Sequence, residues 1–457
     1  MNTMNTINIT KTQNYKVAGP PKSIQNQSVM KGEYEVAIKG TVETDVGKAT
    51  NRDSHNGRSK QEEEEEQILQ LFRPRSSSIV SEDDSDPEDW DETKSDKGTL
   101  VSASSATGLR QTEIQLKTAE KDFLSSDQVR SAHVSHKDLS DLFSKISVPK
   151  DPMMEEDHVE RYMDTLVDSV VNDAVNTASP SMIGHMTSSL PYFMRPLSRL
   201  VTTMNQNVVK TETGNTTTFL EREAVAQLHS QLYRKDAAFY EEHAQDPKTV
   251  LGVFTSGGTL ANVTALWVAR NMALGPKASE ELSDGSMGEV FDGVEVEGLP
   301  AALAYHGYKG AVVIGSALLH YSMGKAMGVL GLGTKSLVQI PFDEDFRVRI
   351  DLLEAALEDY SQRNILVVGV IGLAGGTETG SIDNLEEIAR LSKKYGTHFH
   401  VDAAWGGPCI FSRKHQGMLK GIECADSVTL DGHKQLYMPM GCGLCFFKDP
   451  GMIMSVR

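Results

Sequence analysis

The stretch "DSVTLDGHKQLYMPMGCG", residues 426–443, places a single lysine directly after a short apolar run. The run "DSVTL" (426–430) is typical of a buried strand, and the following "DGHK" (431–434) is typical of a turn. Lysine side chains normally lie in water, so a lysine at the end of a buried strand needs a chemical reason. Lys434 is therefore the first candidate functional residue.

The C-terminal half of the chain alternates short apolar runs with amphipathic helical segments. The other predicted strands lie at residues 249–255, 311–316, 336–341, 364–373 and 398–402. The predicted helices lie at residues 260–274, 351–363 and 384–396. This alternation predicts an α/β fold, with a mostly parallel sheet and helices on both faces. Ligands bind such sheets at the carboxyl ends of the strands.

Composition divides the chain into three regions. Residues 1–105 contain acidic low-complexity runs such as "QEEEEEQ" (61–67) and are predicted to form a disordered extension, either an interaction tail or a solubilising segment. Residues 106–245 are predicted to be a helical segment, with an amphipathic helix at 153–175. Residues 246–457 contain the strand–helix alternation and are predicted to be a large ligand-binding α/β domain.

Charge and hydropathy limit the class of protein. The net charge of −18 disfavours nucleic-acid binding, because phosphate backbones attract Lys and Arg. The longest apolar stretch, residues 365–376, is too short to span a membrane, and the chain opens without a signal segment. We therefore predict a cytoplasmic protein without membrane or nucleic-acid partners. The cysteines show no secreted disulfide pattern; they are Cys409, Cys424, Cys442 and Cys445.

A glycine turn between a strand and a helix is the first binding motif. In "FTSGGTLANV" (254–263), Gly257 and Gly258 permit close backbone approach, and the helix start offers free N–H groups to a phosphate. Thr259 can add a hydroxyl donor. The motif matches neither a Walker loop nor a full dinucleotide fingerprint, so a plain strand–helix turn is the alternative.

A carboxylate follows the strand in "HVDAAWGG" (400–407). Asp402 precedes Ala403 and Ala404, whose small side chains leave room for a flat group. A carboxylate at a desolvated strand end is costly unless it pairs with a cation, and a protonated pyridine nitrogen is such a cation. A capping or salt-bridged aspartate is the alternative interpretation.

Two further polar residues follow predicted strands. His320 can stack on an aromatic ring, although a single histidine is often only structural. Thr377 follows the strand at 364–373. With the turn, Asp402 and Lys434, these residues supply a phosphate cradle, a ring stack, a pyridine counter-ion and an amine.

Two patterns suggest metal or redox chemistry and are set aside. "CGLC" (442–445) has C-x-x-C spacing but continues into a predicted strand, which favours buried reduced thiols. "HFH" (398–400) puts two histidines on one strand face without a third ligand in register. We therefore predict no metal site, and His400 is predicted to pack beside Asp402.

Four fragments, "HYSMGKA", "GTETGSIDNL", "HVDAAWGG" and "DSVTLDGHK", closely resemble group II pyridoxal-phosphate-dependent amino acid decarboxylases. The resemblance runs from about residue 150 to residue 457 and is most specific over 400–434. With "GHMTSSLPYFM" (184–194) and "TMNQNVVK" (203–210), the chain is most similar to the bacterial pyridoxal-dependent aspartate 1-decarboxylases, a glutamate decarboxylase-like branch.

The resemblance implies a fold-type I homodimer that binds pyridoxal 5'-phosphate at the subunit interface. The implied catalytic residues are Lys434, which would carry the cofactor, Asp402, which would pair with its pyridinium, and His320, which would be the base that stacks on its ring. The other implied cofactor contacts are Gly257, Gly258, Thr259 and His433 at the phosphate, Thr377 at the ring edge or reacting carboxylate, and Ala404 under the ring. The candidate substrate contacts are Ser188, Ser189 and Asn205.

The implied reaction is α-decarboxylation of a small acidic amino acid, first L-aspartate to β-alanine, which feeds pantothenate and coenzyme A synthesis. Glutamate and 2,4-diaminobutyrate are the alternative substrates, aminotransfer is an alternative reaction, and a truncated non-catalytic binding paralogue is the alternative class.

This chain differs from the family pattern in two ways. Asp431 replaces an asparagine common in animal members, and the chain ends soon after Lys434, so the family's C-terminal small domain is expected to be missing.

Overall fold

The computed structural model describes residues 103–125, 156–171, 174–179, 182, 186–187, 189–278 and 290–456. The predicted disordered extension, residues 1–105, lies outside the described residues up to position 102. Positions 103–105 already belong to the first helix.

One seven-stranded sheet organises the described chain. Its strands are β1 (Gly252–Thr255), β2 (Ala311–Ser316), β3 (Leu337–Ile340), β4 (Leu366–Leu373), β5 (His398–Asp402), β6 (Ser427–Asp431) and β7 (Gly443–Phe447). The strand order is β1-β7-β6-β5-β4-β2-β3. β7 runs antiparallel to both neighbours, and the other pairings are parallel. The sheet is therefore mostly parallel, as predicted, and every predicted strand is present.

Helices precede the sheet and connect its strands. The N-terminal helices are α1 (Ala103–Ser125), α2 (Glu156–Leu166), which continues as a π-helical turn (Val167–Val171), α3 (Met194–Met204), α4 (Thr211–Gly214), α5 (Thr216–Tyr233) and α6 (Ala237–His243). The later helices are α7 (Gly258–Ala273), α8 (Val294–Glu297), α9 (Leu299–Tyr305), α10 (Ser322–Val329), α11 (Ile350–Gln362) and α12 (Leu385–Tyr395). Short 3₁₀ helices lie at Thr334–Ser336, Gly407–Phe411, Gln416–Leu419, Ile422–Cys424 and Met452–Val456.

Local sequence explains where these helices begin and end. Asn384 caps α12 by accepting a hydrogen bond from the Glu387 N–H at 3.3 Å, and Gly396 ends the helix in the left-handed conformation with φ 64°. The predicted helix at 384–396 is thus confirmed. The predicted helix at 153–175 corresponds to α2 and its π-helical continuation.

The inner strands are buried on both faces, which explains their nearly continuous apolar sequences, whereas the edge strands β1 and β3 are partly exposed. In β4, Val370 packs in the cluster that contains residues of α11 and α12, whereas Val368 and Ile371 pack in the cluster that contains residues of α7 and α10. The adjacent residues Val370 and Ile371 therefore lie on opposite faces of the sheet, as strand alternation requires. Val368 lies on the same face as Ile371 because the β2–β4 register shifts beside it. The two clusters form two layers of core, one on each face of the sheet. The predicted α/β class with helices on both faces is confirmed.

Gly443 sets the position of the turn between β1 and α7. A Cβ added to Gly443 would lie 2.6 Å from Gly257 Cα, so the backbone of the turn rests directly on the start of β7. This contact fixes the turn at the carboxyl end of β1, beside the carboxyl ends of β5 and β6.

Within the described chain, each helix is too short or too polar to cross a membrane. The division of the chain at residues 105 and 245 stays a prediction.

Candidate active site

A cavity of about 350 Å³ lies at the carboxyl ends of the parallel strands. It is lined by residues from the β1–α7 turn, the segment after β2, and the segments that follow β4, β5 and β6. All the residues predicted to contact a cofactor line it, namely Gly257, Gly258, Thr259, His320, Thr377, Asp402, Ala404, His433 and Lys434. The tertiary structure therefore brings together residues that are up to 177 positions apart in sequence, from Gly257 to Lys434.

The β1–α7 turn forms a polar cradle at one end of the cavity. The first N–H groups of a helix have no helical acceptor, so the start of α7 directs hydrogen-bond donors and a positive dipole end at this space. A Cβ at Gly258 would lie 2.9 Å from Asp431 Oδ2 and 3.3 Å from Ala404 Cβ. Glycine therefore lets the turn pack closely against Asp431 and Ala404, which a side chain at this position would displace.

Asp402 lies at the end of β5 and is only 5% exposed. Its Oδ2 accepts a hydrogen bond from Asn262 Nδ2 at 3.0 Å, and its Oδ1 accepts one from the Ala404 N–H at 3.2 Å. Burial raises the pKa of Asp402, while these two donors and the charges of Lys434 and His320 act in the opposite direction. A cation that enters the cavity would therefore stabilise the ionised carboxylate.

Lys434 is held inside the cavity by an ion pair. Its Nζ lies 2.9 Å from Asp431 Oδ2, and its side chain is 18% exposed. His433 Nε2 lies 3.7 Å from the same oxygen. Asp431 thus turns inwards, and the ion pair with Lys434 explains why an acidic residue is tolerated there.

Asp431 also has an unused acceptor. Its Oδ1 is buried without a hydrogen-bond partner in the described chain. A buried polar atom without a partner is costly, and such atoms in native sites commonly face a ligand or water. Together with the free N–H groups at the start of α7, this atom gives the cavity polar groups that a ligand could bind.

His320 follows β2 and is fixed by its neighbour. Its Nδ1 accepts a hydrogen bond from the Ser322 N–H at 3.3 Å, and its ring lies 4.0 Å from the Tyr321 ring, centroid to centroid. Burial lowers the pKa of His320, partly offset by the negative charge of Asp402. The ring is therefore neutral at pH 7 and presents an apolar face.

Asn262 is a site residue that the sequence reasoning missed. It projects from α7, lines the cavity, and lies between His400 and Asp402, with Oδ1 3.0 Å from His400 Nε2. His400 is predicted to pack beside Asp402; its ring bonds to Asn262, which in turn bonds to Asp402. An asparagine among the apolar residues of "LANVTALWVARNMAL" (260–274) is the signal that could have revealed it.

The candidate substrate contacts lie elsewhere or cannot be placed. Ser188 lies outside the described residues. Ser189 and Asn205 are both exposed, and neither is among the described residues that line the cavity. Asn205 ends α3 in the left-handed conformation, with φ 43°.

The cysteines and paired histidines have structural contacts. The four cysteines are free thiols, and burial raises the pKa of Cys442 and Cys445. His398 and His400 both hydrogen-bond to Ser427 Oγ, at 2.7 and 2.8 Å. Nowhere in the described part of the chain do three His, Cys, Asp or Glu side chains gather as metal ligands.

The chain is similar to known proteins that share a family. A family model described as "Pyridoxal-dependent decarboxylase conserved domain" matches residues 302–456. The chain is 43% identical over 315 residues to an aspartate 1-decarboxylase of Aliivibrio fischeri, a match that covers 69% of this chain and 55% of the relative. It is 36% identical over 198 residues to an L-2,4-diaminobutyrate decarboxylase of Acinetobacter baumannii, covering 43% of this chain and 37% of that relative. The chain thus spans about half the length of these relatives, or less.

Solved structures share the fold. The glutamate decarboxylase domain of a diaminobutyrate-pyruvate transaminase and L-2,4-diaminobutyrate decarboxylase from Vibrio parahaemolyticus has a TM-score of 0.62 at 24% identity, covering 79% of this chain and 70% of that one. Tryptophan decarboxylase of Catharanthus roseus has a TM-score of 0.60 at 16% identity, covering 79% and 70%. At these identities the likeness establishes the fold alone.

The electrostatics of the cavity can be measured through His320. We expect its imidazole to titrate below the ordinary histidine pKa in the cofactor-free protein, because burial disfavours the imidazolium ion. Asp402→Asn should lower this pKa further, because it removes a negative charge that favours the protonated ring. The measurement is a pH titration by histidine NMR in both proteins, with Asp449→Asn, an exposed site, as control. A midpoint in Asp402→Asn that is unchanged or higher would contradict this arrangement.

Proposed function

The chain belongs to the group II pyridoxal-dependent decarboxylases, and from this premise we propose that it carries pyridoxal 5'-phosphate on Lys434 and decarboxylates a small acidic amino acid. The observation that carries the proposal is the cavity itself, in which one amine, one buried carboxylate and one glycine cradle converge. Each of these groups matches a different part of the cofactor: its aldehyde, its ring nitrogen and its phosphate.

The residues present fit this cofactor. The start of α7, Thr259 and His433 would supply donors for the phosphate, since all of them line the cavity. Lys434 lies in the same cavity, where Asp431 holds its amine. His320 and Ala404 also line the cavity, and in the proposed complex the flat ring would pack between them.

Asp402 would control the charge of the bound ring. When bound, the cofactor supplies an electron sink that accepts the electron pair of the bond to the departing carboxylate. Because Asp402 is buried, its ionised form needs a cation, and a protonated ring nitrogen needs an anion. Asp402 would thus hold a proton on that nitrogen, and His320 would exclude water from one ring face.

L-aspartate is the substrate we propose, with β-alanine and carbon dioxide as products that feed pantothenate synthesis. The support is the similarity to an aspartate 1-decarboxylase, which is higher and longer than the similarity to diaminobutyrate decarboxylases. Glutamate and 2,4-diaminobutyrate stay alternative substrates. Among the described residues lining the cavity, Lys434 is the only Lys or Arg, so the contact for a substrate's second carboxylate must come from another segment.

We also propose that a second copy of the chain completes the site, as in the implied family homodimer. The polar face of α3 is occupied, because Arg195 pairs with Glu120 and Arg199 with Glu113 of α1. Its opposite face exposes a run of apolar side chains: Leu197, Leu200, Val201 and Met204. An apolar helix face of this kind is stabilised by burial against a partner.

A cytoplasmic location is likewise our prediction.

Lys434→Ala should abolish the visible absorbance band that a lysine-bound cofactor gives, because no amine then remains at this position to form the bond. The measurement is the absorbance spectrum after incubation with pyridoxal phosphate and removal of the unbound excess. Lys420→Ala, which changes an exposed lysine paired with Glu386, should keep the band. Retention of the band in Lys434→Ala would refute the assignment.

Substrate choice is tested by offering aspartate, glutamate and 2,4-diaminobutyrate together and measuring the amine products and carbon dioxide. We expect β-alanine to exceed 4-aminobutyrate by about tenfold or more, since one methylene is worth this much discrimination in a fitted pocket. Consumption of a keto acid without carbon dioxide would instead indicate an aminotransferase. Cofactor binding without turnover of any of the three would favour a non-catalytic binding protein.

Dimerisation is tested by light scattering. The wild-type protein should have twice the mass of the chain, and Leu200→Glu should shift it towards the monomer, because a charge would be buried in the interface. Thr202→Glu, on the opposite face of α3, should leave the mass unchanged. A monomeric wild type would overturn this part of the proposal.

A further inference from the structure

A chain of hydrogen bonds extends from Asp402 back into the protein. Asn262 Nδ2 lies 3.0 Å from Asp402 Oδ2, and Asn262 Oδ1 lies 3.0 Å from His400 Nε2. His400 Nδ1 lies 2.8 Å from Ser427 Oγ, which lies 2.7 Å from His398 Nε2. Asn262, His400 and Ser427 are almost completely buried, so they exchange no hydrogen bonds with bulk water.

The chemistry of these groups fixes the direction of donation along the hydrogen-bond chain. An ionised carboxylate can only accept, so the Asn262 amide must turn its NH₂ group towards Asp402 and its oxygen towards His400. His400 must then carry its proton on Nε2. Burial and the neighbouring His398 lower the pKa of His400 to about 3, so the ring is neutral and its Nδ1 is an acceptor.

The remaining bonds follow from that tautomer. Ser427 must donate its hydroxyl proton to His400 Nδ1, and its oxygen is then free to accept the N–H of His398 Nε2. Burial lowers the pKa of His398 to about 4, so this ring is also neutral. Every donor therefore points towards Asp402. The reverse direction would place the Asn262 oxygen against Asp402, which only a protonated carboxyl group could tolerate.

Asn262 has a second contact that reaches the other wall of the cavity. Its Nδ2 also lies 3.0 Å from the Ser322 Oγ, and the Ser322 N–H donates to His320 Nδ1. One amide group therefore connects the carboxylate at the ring nitrogen with the histidine at the ring face. The charged and titratable groups that face Asp402 across the cavity are Lys434 and His320, and Asp426 faces His398 at the far end.

We propose that Asn262, oriented by His400 and Ser427, is a positioning residue that keeps Asp402 a hydrogen-bond acceptor and so keeps the proton on the cofactor's ring nitrogen. The inference deepens the proposed function and rests on it for the identity of the ring. The direction of the hydrogen-bond chain is a property of the protein alone and can be measured without cofactor.

The first test is ¹⁵N NMR of the histidine rings in the cofactor-free protein at pH 8. The His400 signal, assigned with a His400→Gln variant, should show a neutral ring that is protonated at Nε2 and unprotonated at Nδ1. A ring protonated at Nδ1, or at both nitrogens, would overturn the proposed direction. This result does not depend on whether pyridoxal phosphate binds.

The second test compares two substitutions at one position in protein loaded with ¹⁵N-labelled pyridoxal phosphate. Gln at position 400 can still donate to Asn262, whereas Leu cannot, so Asn262 becomes free to rotate in His400→Leu. The ring-nitrogen signal should show the protonated form to the same upper pH in wild type and His400→Gln. In His400→Leu the ring nitrogen should lose its proton about one pH unit lower, which means that it binds the proton about tenfold more weakly. This is the size expected for the loss of one charge-assisted hydrogen bond.

A third variant keeps the test decisive if His400→Leu does not fold. Ser427→Ala removes the donor to His400 Nδ1, so His400 is no longer restricted to the tautomer protonated at Nε2. The titration of the cofactor's ring nitrogen should then shift in the same direction as in His400→Leu, but by less. Identical titrations in wild type, Ser427→Ala and any folded His400→Leu protein would overturn the proposal. Failure of the wild type to bind pyridoxal phosphate would instead refute the proposed function, while the NMR result on the cofactor-free protein would still stand or fall separately.

Discussion

The buried carboxylate of Asp402 is the interaction on which the rest of the site depends. At the end of β5 it has lost nearly all contact with water, and two protein donors, from Asn262 and Ala404, replace part of its hydration. Two donors leave a carboxylate with unused acceptor positions, and its charge is still uncompensated. A site built around such a group is prepared for a cation, and its geometry places that cation in the cavity rather than in the core.

The polar groups around the cavity form two separate systems with different physical roles. Behind Asp402, neutral side chains donate in one direction and stabilise an anion without adding charge. At the other end of the cavity, Asp431 and Lys434 form an ion pair, and one oxygen of Asp431 has no partner among the residues that the structure describes. In the first system both polar atoms of the Asn262 amide are already hydrogen-bonded, whereas the second has an acceptor to spare. A ligand would therefore change the bonding around Lys434 and leave the support of Asp402 intact.

The backbone makes this separation possible. Parallel strands direct their carboxyl ends to one edge of the sheet, so the segments after β2, β4, β5 and β6 meet there. The antiparallel strand β7 then fits between β1 and β6 and brings the glycine turn of α7 against the start of β7. α7 in turn carries Asn262 into the site, so one helix links the glycine turn at one end of the cavity with Asp402.

Much of this could be predicted from the sequence, because it depends on local pattern. Strand and helix positions follow from apolar periodicity, and the residues after each strand end must gather at one edge of a parallel sheet, so Asp402, His320 and Lys434 could be named without coordinates. What only the tertiary structure decided were contacts across strands and helices. The packing of Asp431 against Gly258, the antiparallel insertion of β7 and the placement of Asn262 between His400 and Asp402 depend on which elements are neighbours in space. Sequence periodicity tells which face a residue occupies, but the partner that it meets on that face is set by the packing of segments more than a hundred residues apart.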